Sequence, residues 1–255
     1  MKKTLLLLSV IIVTLTSCLD TFEEFTIAQD GSGTYRSSMD MSGMMEMMEM
    51  MAAMDTSANK EMRKMSEQNV DSSFKLAHSV DTATDLTAEQ KRLFREAEMF
   101  ININQKEKLF KMSMLFPFKT LDDVNRIIAY NEKGNGVGLF NKKDKNPMSS
   151  MAKESGMPNA GDYFIITFSE GLVERKIDEK KLAESKKENG VKDVPEMEGM
   201  LEGITYKTVF HFPRPIKNLK GKKAVLSDDK KTVTIRSTMA DLLENPDALA
   251  FRIEY

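Results

Sequence analysis

The stretch that decides the fold is Phe25-Thr26-Ile27-Ala28, Asp30-Gly31-Ser32-Gly33, Thr34-Tyr35-Arg36-Ser37. Phe25 and Ile27 alternate with Thr26 and Ala28, the period of a strand with one face buried. A Gly-containing turn follows, and a second alternating run leaves it. That order predicts a β-hairpin.

The same grammar recurs along the chain. Ile101 and Ile103 alternate with Asn102 and Asn104, and after Gln105-Lys106-Glu107 the run Phe110, Met112, Met114, Phe116 alternates with polar residues. Tyr163 to Phe168, Ser169-Glu170-Gly171 and Leu172 to Ile177 predict a third hairpin. Strands are further expected at 204–212, 224–226, 232–235 and 249–255. Helices fall between them. Thr87-Ala88-Glu89-Gln90 has capping-box spacing and predicts a helix to about Glu98. Thr120 opens a helix carrying Leu121, Val124, Ile127 and Ile128. A charged helix is expected over 178–189, ending at Gly190, and a short one over 240–244. Residues 131–161, rich in Gly, Asn, Lys, Pro and Ser, read as a mobile loop. Sequential hairpins with helices inserted between them predict an α+β fold with a mostly antiparallel sheet. The expected single domain is 24–255.

One inserted helix is unusual. Between Ser42 and Met65, Met44, Met45, Met47, Met48, Met50, Met51 and Met54 fill a broad arc at 100° per residue, with Glu46, Glu49 and Ala53 opposite. Ser42 is a candidate cap. Thioethers at helical spacing suit Cu(I) or Ag(I), so a soft-metal sequestering protein is one reading. The other is that Met is a flexible core filler. Neither His lies nearby, and the core reading is preferred. No metal ligand is assigned.

The amino terminus carries an address. Met1-Lys2-Lys3 is basic, and the apolar run from Thr4 to Leu15 is too short for a comfortable membrane span, which needs about 20 residues. Leu15-Thr16-Ser17-Cys18 follows. This order of basic, apolar, small and Cys resembles the bacterial lipoprotein signal. The resemblance implies cleavage of a 1–17 signal peptide, diacylglycerol on the Cys18 thiol and acylation of the new amine. Removal of Lys2 and Lys3 with the leader would take the formal charge from −2 to −4. Each buried CH₂ of an acyl chain contributes about 0.8 kcal/mol, so two or three chains would hold the protein on a membrane. Residues 18–23 read as a tether of about 20 Å at most. The expected location is the bacterial cell envelope, lipid-anchored, with the outer membrane as the destination. Acids soon after Cys18, in Leu19-Asp20-Thr21-Phe22-Glu23-Glu24, resemble surface-export signals of some Bacteroidetes lipoproteins.

Asp30-Gly31-Ser32-Gly33 at the start, and Phe212-Pro213-Arg214-Pro215-Ile216 with Ser227-Asp228-Asp229-Lys230-Lys231-Thr232-Val233 near the end, resemble lipoproteins of Bacteroidetes-type bacteria. There is a fainter likeness to the LppM-like lipoprotein domain. These resemblances imply a class and an address, and no activity.

Composition narrows the function classes. The 255 residues are 41% hydrophobic and 30% charged, a globular balance. One Cys forbids an intramolecular disulfide and excludes Cys-rich zinc sites. A net charge of −2 argues against general nucleic-acid binding. His78 and His211 are the only imidazoles, and neither HExxH nor a GxSxG elbow is present. An Asp/Glu pair in a glycosidase-like cleft stays open, made less favourable by the lack of Trp. Gly134-Asn135-Gly136-Val137-Gly138 follows a helix rather than opening one, so it reads as a helix stop and not a phosphate loop. Arg214, Lys217, Lys220, Lys222 and Lys223 form a run suited to anionic headgroups or acidic polysaccharide, or to guarding an edge strand, which is preferred. The expectation is a non-catalytic binding or structural module of the envelope, with no catalytic residue and no cofactor assigned. Its partners would be the membrane, through lipid on Cys18, and an envelope protein or ligand. Binding of lipid or another hydrophobic ligand between helices and sheet is a further alternative.

Overall fold

The computed structural model describes residues 19–43, 69–132, 164–188 and 203–255. The signal peptide, Cys18, the Met-rich stretch from Met44 onward, nearly all of the 131–161 loop with its glycine cluster, and Gly190 lie outside them. In chain order the first elements are β1 (Leu19–Ile27), β2 (Gly33–Asp40), β3 (Val70–Lys75), α1 (Ala77–Thr82), α2 (Ala88–Phe94), β4 (Glu98–Asn104), β5 (Leu109–Phe118) and α3 (Leu121–Glu132). Then come β6 (Phe164–Ser169), β7 (Leu172–Ile177), α4 (Glu179–Glu188), β8 (Ile204–His211), β9 (Asn218–Lys220) and β10 (Ala224–Leu226). Last are β11 (Thr232–Thr238), α5 (Met239–Glu244), a 3₁₀ turn (Pro246–Leu249) and β12 (Phe251–Glu254).

The architecture is α+β and mostly sheet. An eight-stranded sheet runs β10-β11-β8-β1-β2-β5-β4-β3, and a four-stranded sheet runs β6-β7-β12-β9. β1 and β2 pair antiparallel, Phe25 opposite Tyr35. The Asp30 carboxylate accepts from the Ser32 amide (3.0 Å) and hydroxyl (2.6 Å), and Gly31 takes the left-handed φ of 82° that closes the turn. Gly33 has no room for a side chain: a Cβ would lie 1.9 Å from the Thr26 carbonyl oxygen and 2.6 Å from the Phe118 ring.

Four features differ from the sequence expectation. β1 pairs on its other side with β8 in parallel, Phe25 opposite Phe210, so the large sheet is mixed. β1 starts at Leu19, which puts residues 19–23 of the expected tether in the strand. α2 stops at Phe94 and Glu98 already belongs to β4, because the Ala97 amide turns back to the Phe94 carbonyl. β3 and α1 carry too little apolar periodicity to be read, β3 being an exposed edge.

The core lies between the two sheets and is largely aromatic. Phe25 stacks on Tyr35 at 4.6 Å and on Phe210 at 5.1 Å. From the small sheet, Phe168 meets Phe25 at 4.9 Å and Phe251 meets Phe210 at 5.3 Å. Each such ring contributes about 1.5–3 kcal/mol by leaving water. Helices α2 and α3 extend this layer. The Thr87 capping box holds α2, and Phe94 packs on Phe116 at 5.9 Å, with Val124 and Ile127 fully buried. A second cluster of Phe164, Ile204, Met239, Leu242 and Leu249 packs with Leu19 beside it. Among the described residues, side chains from both sheets and from α2 and α3 thus meet in one continuous cluster.

Candidate functional site

A cavity of about 1280 Å³ crosses the large sheet. Its lining takes three consecutive residues from each of seven strands, such as Asp20-Thr21-Phe22, Ser38-Met39-Asp40 and Thr205-Tyr206-Lys207. In every triplet the outer two share the face turned away from the aromatic core, and the middle one offers its backbone. The cavity is therefore a trough on the side of the sheet opposite the core. Seven strands at the usual spacing give it a length of about 29 Å along the sheet.

Charged and hydroxyl side chains share the trough with a larger apolar surface that includes two aromatic rings. The Lys207 ammonium lies 5.1 Å from the centre of the Phe22 ring, and the Arg36 guanidinium lies 5.4 Å from that of Phe100. Cations in this position are held by the ring's negative face. Most carboxylates in the trough are engaged. Lys111 bonds Asp40 at 2.9 Å, and Lys223 bonds Asp241 at 2.8 Å, where Asp241 also completes the Thr238 capping box of α5. Burial opposes ionisation of Asp40, but the Ser42 hydroxyl, Lys111 and the Ser42 amide outweigh it and hold its pKa below the ordinary value. Asp241 behaves alike, with Lys223 and the Thr238 amide outweighing burial. The Thr205 hydroxyl donates to Asp20. Just beyond the trough, His211 contacts Glu24 through Nε2 at 3.1 Å and Thr232 through Nδ1 at 3.2 Å, a structural role.

Other residues singled out from the sequence are dispersed. His78 is exposed on α1. Arg214 sits 5.8 Å from the centre of the Tyr255 ring and Lys217 donates to the Tyr255 carbonyl at 3.1 Å, Lys220 lies on the edge strand β9, and Lys223 lies in the trough bonded to Asp241. Ser42, a candidate helix cap, accepts from the Phe110 amide at 3.1 Å, and the amides it would cap lie outside the described residues. Among the described residues no group of three or more His, Cys, Asp and Glu could hold a metal, and no helix is long and apolar enough to cross a membrane. Cys18 and the Met-rich stretch lie outside the described residues.

Sequence reasoning did not find the trough. Alternation in Ile204-Thr205-Tyr206-Lys207-Thr208 does place Lys207 on the face away from Tyr206, but nothing local brings Arg236 opposite it. No protein-family model matches the chain. No curated protein matches it either, so the likeness to Bacteroidetes-type lipoproteins rests on turn motifs alone. Among solved structures, the NMR structure of the folded domain of Mycobacterium tuberculosis LppM aligns with 94% of this chain and 91% of its own, at 8% identity and a TM-score of 0.35. At that level nothing is transferred from it.

Proposed function

We propose that the chain is a bacterial envelope lipoprotein, anchored by lipid on Cys18 in the outer membrane, and that it works as a non-catalytic binding module with the trough as its binding face. One observation carries the link between anchor and trough. β1 begins at Leu19, the residue after Cys18, and its Asp20 and Phe22 line the trough. A lipid on Cys18 would then leave no slack, and the trough would open beside the bilayer surface.

Two measurements test this. Labelled palmitate should enter the wild-type protein and not Cys18→Ala, and only the wild type should partition into detergent. A photocrosslinking residue at Ser38, in the trough, should capture a ligand or partner in intact cells. The same residue at Ile165, exposed on the small sheet, should not. A mature chain that begins beyond residue 18 without label would end the anchoring half. Equal capture from both positions would end the binding half.

A further inference from the structure

Lys207 and Arg236 are register partners, directly opposite each other across β8 and β11, and both line the trough. Directly opposed side chains have Cβ atoms about 5 Å apart, and like charges there destabilise a sheet. Neither cation has a carboxylate within ion-pair distance among the described residues. Asp20 bonds Thr205, Asp40 bonds Lys111 and Asp241 bonds Lys223. Asp71 is on β3, at the far end of the trough. The β8–β11 end of the trough therefore carries Lys207 and Arg236 side by side, with Asp20, bonded to Thr205, on the adjoining strand β1.

We infer that Lys207 and Arg236 together form a binding site for a phosphate-type oxyanion. Arg supplies a planar fork that can hold two oxygens, and Lys supplies a compact charge for a third. Phe22 steadies Lys207 from one side by the ring contact described above. The hydroxyl of Thr238, on the same face of β11 two residues from Arg236, caps α5 by accepting from the Asp241 amide and keeps its own proton to donate. This inference rests on the trough being the binding face. The oxyanion has two sources of the same chemistry, a phospholipid headgroup at the adjoining membrane or a soluble phosphate ester.

The experiment uses the full chain in nanodiscs of phosphatidylcholine. Glycerol 3-phosphate is titrated calorimetrically as the soluble probe. In a second arm, tryptic protection of the trough strands is compared between pure phosphatidylcholine discs and discs with one third phosphatidylglycerol. The variants are Lys207→Gln with Arg236→Gln, and Lys230→Gln, remote from the trough, as a control. The expected result is binding in one arm or both, weakened at least tenfold in the double variant and unchanged in the control. Response to glycerol 3-phosphate assigns a soluble ester, and response to phosphatidylglycerol alone assigns the headgroup. The double variant should also melt no lower than wild type, because it relieves opposed charges, whereas a purely structural pair would lower the melting temperature. No response in either arm, or undiminished binding by the double variant, overturns the inference. Ser38 crosslinking in cells would then still report separately on whether the trough binds something uncharged or cationic.

Discussion

The Asn125 side-chain amide makes two hydrogen bonds of 2.8 Å to the main chain of Phe168, donating to its carbonyl and accepting from its amide. β6 is the outer strand of the small sheet, so this side chain from α3 takes the place of a neighbouring strand and covers the edge. The helix layer and the small sheet are joined at that point.

Asn125→Ala should therefore lower stability by about 1–3 kcal/mol, the cost of leaving two half-buried main-chain groups without partners. Asn125→Asp keeps the acceptor and loses the donor. Its loss should shrink as the pH falls and the new carboxyl regains a proton to donate. Denaturant melts of both variants at pH 7 and pH 4 check this.

Asp123 is buried, 5% exposed, and accepts from Arg92 at 2.7 Å and from the Lys119 amide at 3.2 Å. Burial favours its neutral form, but the Arg92 bond, the Lys119 amide and the Arg92 charge together hold its pKa below the ordinary carboxylate value. A lowered folded pKa stabilises the fold above the unfolded value, and that stabilisation is lost as the pH falls through the folded one. The gap between wild type and Asp123→Asn should be full at pH 6 and narrow as the pH falls below the ordinary carboxylate value. Arg92→Ala should cost about 2 kcal/mol, less than a fully buried pair because the Arg92 side chain is 53% exposed.

Arg175 lies between two rings, 4.9 Å from the centre of Phe164 and 4.8 Å from that of Phe251, and donates through Nε (2.8 Å) and Nη2 (2.6 Å) to the Leu249 carbonyl. Burial pushes its pKa down to about 10, partly offset by Glu23, so it is still charged at neutral pH. Arg175→Lys keeps the charge and loses the fork and the stacking. A loss of about 1–3 kcal/mol is expected, with the melting transition staying cooperative.

Gly33→Ala should be the most damaging of these substitutions, at about 3 kcal/mol or more, because the new methyl meets the Thr26 carbonyl oxygen as well as the buried Phe118 ring, and the carbonyl cannot swing aside. The readout is soluble yield and the melting temperature. A neutral Gly33→Ala would show that the β1–β2 register is not the one described.

Local signals in the sequence carried the local structure. The turn at Asp30-Gly31, the Thr87 box and the 3.6-residue spacing of Val124, Ile127 and Ile128 each fix an element through neighbours a few residues away. What stayed hidden is non-local. Pairing of β1 with β8 leaves no mark on either strand alone, since Phe25 opposite Phe210 looks like any two buried aromatics. The partition into two sheets follows from which aromatic face meets which, as Phe168 meets Phe25. The trough is hidden for the same reason: each strand gives it only two side chains, and Lys207 acquires Arg236 only through tertiary pairing.

The parallel seam between β1 and β8 also sets a timetable. Asp20 and Thr205, bonded across it, are 185 residues apart in the chain. At about 5–20 residues per second of synthesis, β8 appears roughly 10–40 s after β1. Through that interval the first strand has a bare edge, and the central join of the large sheet cannot close. Long-range pairing of this kind folds slowly. A chain so built stays threadable while its amino terminus leads, and it becomes rigid only near the end of synthesis. Asp20 and Glu24, whose charges lie along the waiting strand, would discourage it from pairing with a second copy meanwhile.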